Sequence, residues 1–225
     1  MKREEYEMLE EYMLSCMTDS AHDKEHIYRV LYVALDIAQN EKAVDRDVLI
    51  TACLLHDIGR QEQLADSRLD HAEVGAEKAQ RFLTAHGYSD DFADRVASCI
   101  AAHRFRTNSA PESIEAQILF DADKIDVTGT IGIARTIFYK GQVAEPLYTL
   151  DENGSVLDGT SDTEPSFFQE YKYKLEKMYT KFYTVRGTEI AAQRQQAAVS
   201  FYNSMLSEVK QSYAAGSNII DEILE

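Results

Sequence analysis

The stretch Leu54-Leu55-His56-Asp57-Ile58-Gly59-Arg60 combines an apolar helical pattern with an adjacent histidine and aspartate. Burying an ionised aspartate without a partner is costly, whereas a divalent cation satisfies both side chains. Neighbouring side chains on a helix point about 100° apart, so both can reach one ion in a shared groove. The alternative is that His56 and Asp57 lie in water at the end of their helix, and the dipeptide alone does not decide between the two.

Helical periodicity dominates the chain on both sides of this stretch. The residues 147–158, with Asn153-Gly154 in their middle, instead suggest a short β-hairpin. We therefore expect an all-α fold, a single domain over 1–225 with a metal-site core at about 20–140 and helices of 166–210 packed on it. The expected helices cover about 3–17, 23–40, 45–58, 70–86, 89–104, 111–126, 130–140, 166–183 and 187–210, with a last turn in 218–224.

The overall charge limits the kinds of partner. The 225 residues carry 23 Lys and Arg against 39 Asp and Glu, a formal net charge of −16. This disfavours nucleic-acid polymers and anionic membranes as partners. A small anion is still compatible, because a bound metal or a few convergent cations can invert the field locally. Only 10 Gly and 3 Pro argue against a turn-dense β-sandwich or barrel.

The cysteines and the apolar runs indicate a compartment. Cys16, Cys53 and Cys99 form no C-x-x-C pair, which predicts buried free thiols in a reducing environment. The first residues do not resemble a signal peptide, and no apolar run approaches the ~18 residues needed to span a bilayer. The expected location is the cytoplasm.

Two further motifs place metal-ligating side chains on helices. Upstream, in His22-Asp23-Lys24-Glu25-His26-Ile27-Tyr28-Arg29-Val30, a histidine begins a helix that Asp23 can cap, and an arginine follows one turn later. Downstream, Phe120-Asp121-Ala122-Asp123-Lys124-Ile125-Asp126 places three carboxylates in an otherwise apolar helix. Positions 121 and 123 lie about 200° apart, so only one of them can face an ion, whereas 123 and 126 share a face.

Together these motifs resemble the HD-domain superfamily of metal-dependent phosphohydrolases, whose ligands come in the order His, His-Asp and a distant Asp. The motif sequences are most similar to those of the bacterial subgroup that includes nucleotide pyrophosphohydrolases. The similar segments are His26…Arg29-Val30, Asp121–Asp126 and Gly132-Ile133-Ala134-Arg135. The resemblance covers about 20–210. It implies an HD-domain helical bundle with the metal ligands His26, His56, Asp57 and Asp123, while Asp126 is expected beside them and Asp121 is expected to be solvated or capping.

The resemblance also implies roles for two more histidines and five cations. His71 and His103 match histidines that bind a second metal or contact phosphate in some branches; the alternative is two helix-end histidines bonded to carbonyls. His22 is expected at the surface and His86 as a C-terminal cap. Lys124 stands where arginine is usual, which turns a bidentate contact into a point charge. The catalytic roles go to Asp57, Arg60 and His103, and substrate binding to Arg29, His71, Lys124, Lys174 and Lys177, with a solvated face as the alternative for each cation.

These observations predict a hydrolase of phosphate esters or anhydrides that acts on a nucleotide or another small phosphorylated substrate. Imidazole with carboxylate suits Mn, Fe, Co, Ni or Zn better than Mg, and one ion is expected more than two. Two alternatives remain, a di-iron oxygenase that needs His71 and His103 as ligands and a non-catalytic metal-binding regulatory module. No nucleic-acid polymer or membrane is expected as a partner, and a homodimer is left open.

Overall fold

The computed structural model describes residues 1–17, 24–104 and 110–224, except for the side chains at 218 and 221. Most of these residues are helical. Within these ranges there is no regular strand, and Leu150 and Val156 form one isolated antiparallel bridge. The prediction of an all-α fold is confirmed. The helices are α1 Arg3–Cys16, α2 Lys24–Ala38, α3 Arg46–Leu55, α4 Arg60–Ala65, α5 His71–Ala85, α6 Asp90–Ala102, α7 Ile114–Asp126, α8 Gly129–Gln142, α9 Phe167–Tyr173 and α10 Val185–Leu224, with a 3₁₀ turn at Leu175–Lys177.

The chain divides into two compact units. The first contains Met1–Asp126 and Phe182–Gly187, and the second contains Val127–Lys181 and Thr188–Glu225. The expectation of a single domain over 1–225 stays a prediction. Among the described helices, none combines the length and the apolar character that crossing a membrane requires.

Side-chain caps start several helices of the first unit. Asp45 accepts hydrogen bonds from the amides of Asp47 and Val48 at the start of α3, and Ser89 accepts one from Phe92 at the start of α6. At the end of α5, His86 bonds the Phe82 carbonyl through Nδ1 at 2.7 Å, as predicted. The predicted cap Asp23 and the predicted surface residue His22 lie outside the described residues.

The apolar faces of α2, α3, α5, α6 and α7 form the core of the first unit. Cys53 and Cys99 are buried free thiols in this core, as predicted, whereas Cys16 is only half-buried. Burial raises the pKa of both core thiols, so they are inert in contrast to exposed reactive cysteines. The most buried apolar residues are Ile27, Val30, Leu31, Ile37, Val48, Leu49, Leu54, Leu55, Ile58, Leu83, Val96, Ile100, Ile118, Leu119 and Ile125.

The helix that was predicted to include His56 and Asp57 ends three residues earlier than the periodicity predicts. It stops at Leu55, and the Ile58 and Arg60 amides make turn-type bonds to the Leu55 and Asp57 carbonyls before the unpredicted helix α4 begins. A Cβ on Gly59 would lie 2.3 Å from the His71 carbonyl oxygen. This close approach to α5 is why the chain turns at Gly59.

In the second unit, the predicted helix over 166–183 is wrong beyond Tyr173. Leu175 is buried in the core of the unit, Tyr179 Oη accepts a hydrogen bond from the Gly129 amide at 2.9 Å, and Lys181 has φ +64°. These tertiary contacts override the helical periodicity of the segment. The core of this unit consists of Ile133, Val156, Phe167, Phe168, Tyr171, Leu175, Ala198 and Tyr202.

Two other boundaries of the second unit differ from the prediction. The last helix does not stop near 210, because α10 runs on to Leu224 without a separate last turn. The predicted hairpin is reduced to a bridged loop, in which the Asp151 carboxylate accepts hydrogen bonds from the amides of Asn153 and Ser155. Gly154 there has φ +78°, the left-handed conformation expected of Gly after Asn.

Candidate metal centre

Two helices and the turn after a third supply the first donor group, which consists of His26, His56 and Asp123. One ligand atom of each lies within 4.8 Å of the others. His26 Nε2, on α2, is 3.3 Å from Asp123 Oδ1 on α7 and 3.4 Å from His56 Nε2, just after α3. His56 donates from Nδ1 to the Cys53 carbonyl at 2.8 Å, which leaves Nε2 as the lone-pair nitrogen that faces the group.

A second donor group, Asp57, His71 and His103, lies next to the first. Asp57 Oδ1 is 3.3 Å from His71 Nε2 and 3.7 Å from His103 Nε2. Asp57 Oδ2 faces the first group, 3.6 Å from His26 Nε2 and 3.7 Å from His56 Nε2. Asp57 therefore presents one carboxylate oxygen to each donor group.

Three buried atoms of this cluster have no hydrogen-bond partner among the residues that the structure describes, namely Asp57 Oδ2, His71 Nε2 and His103 Nε2. Buried polar atoms are normally paired, so unpaired ones need an explanation. His103 Nδ1 donates to the Ile100 carbonyl at 2.6 Å, so in the neutral imidazole the lone pair is on Nε2. A lone-pair nitrogen and a carboxylate oxygen are satisfied by a divalent cation, and the residues present fit a metal centre.

The comparison with protein families agrees with this geometry. The family model described as HD domain matches residues 24–128, which include all six side chains of the two donor groups. The chain carries an HD domain. The prediction of this superfamily is confirmed, whereas the pyrophosphohydrolase subgroup stays a prediction.

Relatives of the whole chain are similar in sequence and fold. The protein YpgQ of Bacillus subtilis (strain 168) is 28% identical over 210 residues, which cover 90% of this chain and 93% of YpgQ. The crystal structure of YpgQ in complex with ADP has a TM-score of 0.70 at 26% identity, covering 91% of this chain and 97% of that chain. A predicted HD superfamily hydrolase from an uncultured Thermotogales bacterium has a TM-score of 0.61 at 28% identity, covering 90% and 91%. The relatives support a hydrolase.

A third relative matches only part of the chain. Ribonuclease Y of Borreliella afzelii (strain PKo) is 37% identical over 94 residues, which are 41% of this chain but 16% of ribonuclease Y. The likeness therefore concerns less than half of this chain and a small part of ribonuclease Y.

The carboxylates and imidazoles of the HD domain have strongly shifted pKa values. Burial would raise the pKa of Asp57, but His56, Arg60 and His103 hold it well below its usual range. Burial lowers the pKa of His56 to about 4 and also lowers that of His71. Both imidazoles are therefore neutral at pH 7, as metal ligation requires.

His26 and Asp123 form the charged pair of the site. Burial lowers the pKa of His26, but hydrogen bonds to Asp123, Asp126 and Asp57 outweigh it and raise the value to about 10. The same interactions with His26 hold the pKa of Asp123 below its usual range against the effect of burial. Without a metal, the proton on His26 thus takes the place of a cation among the carboxylates.

Asp126 supports His26 from behind. Its Oδ2 lies 2.8 Å from His26 Nδ1, and Arg29 contacts both oxygens, with Nε at 2.7 Å and a terminal nitrogen at 3.1 Å. A carboxylate behind a ligating histidine fixes the ring orientation and raises its basicity. Arg29, predicted as a phosphate ligand, is thus bonded to Asp126 in this structure.

The other predicted cations divide between the two units. Arg60 donates from Nε to Asp57 Oδ1 at 2.9 Å, and Lys124 lies over the Phe182 ring at 4.5 Å from Nζ to the centroid. Lys174 and Lys177 belong to the second unit. There Lys174 pairs with Glu170 at 3.0 Å and Lys177 lies over the Tyr173 ring. Phosphate binding by these cations stays a prediction.

The structure corrects the expectation that Asp121 is solvated and agrees with the alternative that it caps a helix. It is fully buried rather than solvated, and its carboxylate accepts hydrogen bonds from the amides of Tyr183 and Thr184 and from the Thr184 hydroxyl. Thr184 in turn accepts from the Gly187 amide at the first turn of α10. Asp121 therefore supports a helix cap and does not belong to either donor group, in agreement with the capping role that was its other expected place.

The sequence reasoning missed two features that shape the centre. Gln63 on α4 lies 2.8 Å from His71 Nδ1. Gly59 and Gly75 face each other where α5 crosses the His-Asp turn, and a Cβ on Gly59 would be 2.6 Å from the Gly75 amide nitrogen. The glycine two residues after Asp57 was a visible signal for close packing, whereas nothing in the local sequence distinguishes Gln63.

Proposed function

We propose that this chain is a metal-dependent phosphohydrolase that acts on a nucleotide or another small phosphate ester. The observation that carries the proposal is the pair of donor groups with Asp57 between them, since three of their buried atoms have no hydrogen-bond partner in the described part of the chain. The HD superfamily hydrolase among the relatives supports hydrolysis, and the ADP complex of YpgQ supports a nucleotide ligand. The substrate of this chain is part of the proposal.

The centre that we propose holds two ions, where the sequence alone led us to expect one. His26, His56 and Asp123 would hold one ion and His71 and His103 the other, and Asp57 would contribute a carboxylate oxygen to each group. A bound divalent ion lowers the pKa of a water ligand and stabilises negative charge on phosphoryl oxygens. The mixed nitrogen and oxygen donors favour Mn, Fe, Co, Ni or Zn over Mg.

The chain's own residues have separate tasks in this proposal. Asp57, between the two donor groups, accepts the proton of the attacking water. Arg60 is held by Asp57 through Nε, and its terminal nitrogens have no hydrogen-bond partner among the described residues, so they can bind a phosphoryl oxygen. Lys124, next to Asp123 in the chain, adds positive charge, and His103 contributes to catalysis as a ligand of the second ion.

The test is a panel of nucleotides and phosphomonoesters, each assayed with Mn²⁺, Ni²⁺, Co²⁺ and Mg²⁺ separately. We expect hydrolysis with at least one transition metal, and the release of phosphate or pyrophosphate identifies the bond that is cleaved. His56→Ala is expected to abolish activity, whereas Gln80→Leu, an exposed position elsewhere in the first unit, is expected to preserve it. Absence of hydrolysis with every metal would refute the proposal.

A di-iron oxygenase is the second candidate, because His71 and His103 both lie beside Asp57. This candidate requires iron in both donor groups and consumption of O₂. Metal analysis after anaerobic purification separates the two candidates. Two irons per chain together with no phosphatase activity would favour the oxygenase over the hydrolase.

A further inference from the structure

The carboxamide of Gln63 has one orientation in this structure. Its Nε2 donates to the Leu69 carbonyl at 3.0 Å, and a carbonyl oxygen can only accept. The other end of the carboxamide, Oε1, therefore faces His71 Nδ1 at 2.8 Å. Since Oε1 can only accept, the proton of this contact belongs to His71.

That orientation determines which nitrogen of His71 carries the proton. A neutral imidazole has one N–H, and with the proton on Nδ1 the buried Nε2 presents a lone pair 3.3 Å from Asp57 Oδ1. An Arg104 terminal nitrogen also approaches Nδ1, at 3.0 Å, and by itself favours the opposite tautomer. In that tautomer Gln63 Oε1 would face a lone pair at 2.8 Å, and the buried Nε2 proton would lie 3.3 Å from Asp57 Oδ1 without the geometry of a hydrogen bond to any described residue.

We propose that Gln63 is a positioning residue that holds His71 in the tautomer whose Nε2 can bind the ion of the second donor group. The inference rests on the two-ion centre of the proposed function. His103, the other histidine of that group, is oriented by the backbone carbonyl of Ile100, which no substitution removes. Gln63 is thus the side chain through which the ligand capacity of the second group can be changed without touching a ligand.

The experiment titrates the full-length protein with Mn²⁺ and follows free Mn²⁺ by electron paramagnetic resonance, which gives the number of ions and both dissociation constants without an activity assay. We expect two ions in the wild type. In Gln63→Leu, which removes both hydrogen bonds at similar volume, the second ion is expected to bind about 10–100-fold more weakly while the first is unchanged. Gln63→Glu keeps the acceptor for His71 and is expected to restore the second ion.

Control measurements distinguish a failure of the role of Gln63 from a failure of the proposed two-ion centre. Gln80→Leu makes the same chemical change at an exposed position and is expected to bind two ions with wild-type affinity, and circular dichroism checks that each variant is folded. A single ion in the wild type would refute the two-ion centre and this inference with it. Two ions in the wild type with unchanged affinity in Gln63→Leu would refute the role of Gln63 alone. Equal weakening of both ions in folded Gln63→Leu would do so as well, since Gln63 contacts only the second group.

Discussion

Two aspartates on α7 have different roles, one next to the candidate metal centre and the other at a helix cap. Asp126 bonds His26 and Arg29, whereas Asp121 bonds the backbone at the start of α10. Both are buried, and both belong to the same short motif. What separates them is the direction in which a helix turns their side chains, so equal chemistry and equal burial lead to different tasks.

Substituting each of these aspartates by asparagine tests the difference. Asp126→Asn removes the charge that raises the basicity of His26, so we expect the affinity for the first ion to fall about 10–100-fold. Asp121→Asn is the matched control on the same helix. It is expected to lower stability by about 1–3 kcal/mol through lost hydrogen bonds while metal affinity stays unchanged. Mn²⁺ titration and urea unfolding of both variants measure these effects, and equal metal affinity in the two would contradict our assignment of Asp126.

At the scale of elements, caps and close crossings position the donor groups. Asp45 caps α3, the helix that leads to His56, and also pairs with Arg95 at 2.9 Å. Burial tends to raise the pKa of Asp45, but hydrogen bonds from the Val48 amide and from Arg95 lower it below the ordinary value of 3.8. Since the folded pKa is the lower one, the carboxylate's stabilisation is present above pH 3.8 and is lost as the pH falls through the folded value.

Asp45→Ala is accordingly expected to cost about 1 kcal/mol of unfolding free energy at neutral pH, the size of a helix cap, because the carboxylate is partly exposed and solvent screens its charge. The cost should shrink as the pH falls below the pKa of Asp45. Ser89→Ala removes the uncharged cap of α6 and should show a similar cost that does not depend on pH. Urea unfolding of the metal-free proteins at several pH values measures both. A cost for Asp45→Ala that is constant across this range would contradict the electrostatic part of the argument.

A substitution at Gly59 tests the close approach of α5 to the turn that carries His56 and Asp57. In Gly59→Ala the new methyl group would overlap the His71 carbonyl and the Gly75 amide, which are backbone atoms and cannot rotate away. We expect a loss of about 1–3 kcal/mol in stability and weaker binding of both ions. Gly141→Ala, where a Cβ meets nothing within 4 Å, is the control and should be neutral or slightly stabilising. Wild-type unfolding and metal binding in Gly59→Ala would show that the crossing tolerates a side chain.

At the scale of the whole molecule, the charge of −16 separates this chain's expected substrates from those of its relative ribonuclease Y. A polyanion must approach an extended surface, and a strongly acidic surface repels it, whereas a nucleotide meets only the local field of the metal centre and its cations. We therefore expect nucleotides to be hydrolysed and single-stranded RNA of matched phosphate concentration to remain intact. Product analysis of both on one enzyme preparation measures this, and RNA cleavage at a rate similar to that of nucleotides would overturn the expectation.

The sequence predicted much of the fold because apolar periodicity is local. Periodicity and capping residues located α1, α5 and α6 to within two residues of their observed ends. Periodicity failed between Lys174 and Lys181, where buried contacts of Leu175 and Tyr179 replace the helix, and it missed α4, which exists because Gly59 brings the turn against α5. These failures share one cause, since the deciding partners are distant in sequence.

The sequence by itself determined the all-α class, and its resemblance to the HD-domain superfamily predicted the ligands. Helical geometry showed that only one of Asp121 and Asp123 can face an ion, and the resemblance favoured Asp123. Only the tertiary structure decided that Asp57 faces two donor groups and that Gln63 holds His71. The physical reason is that the two donor groups form when side chains from five segments converge, and the direction of each imidazole lone pair depends on a hydrogen bond that packing supplies.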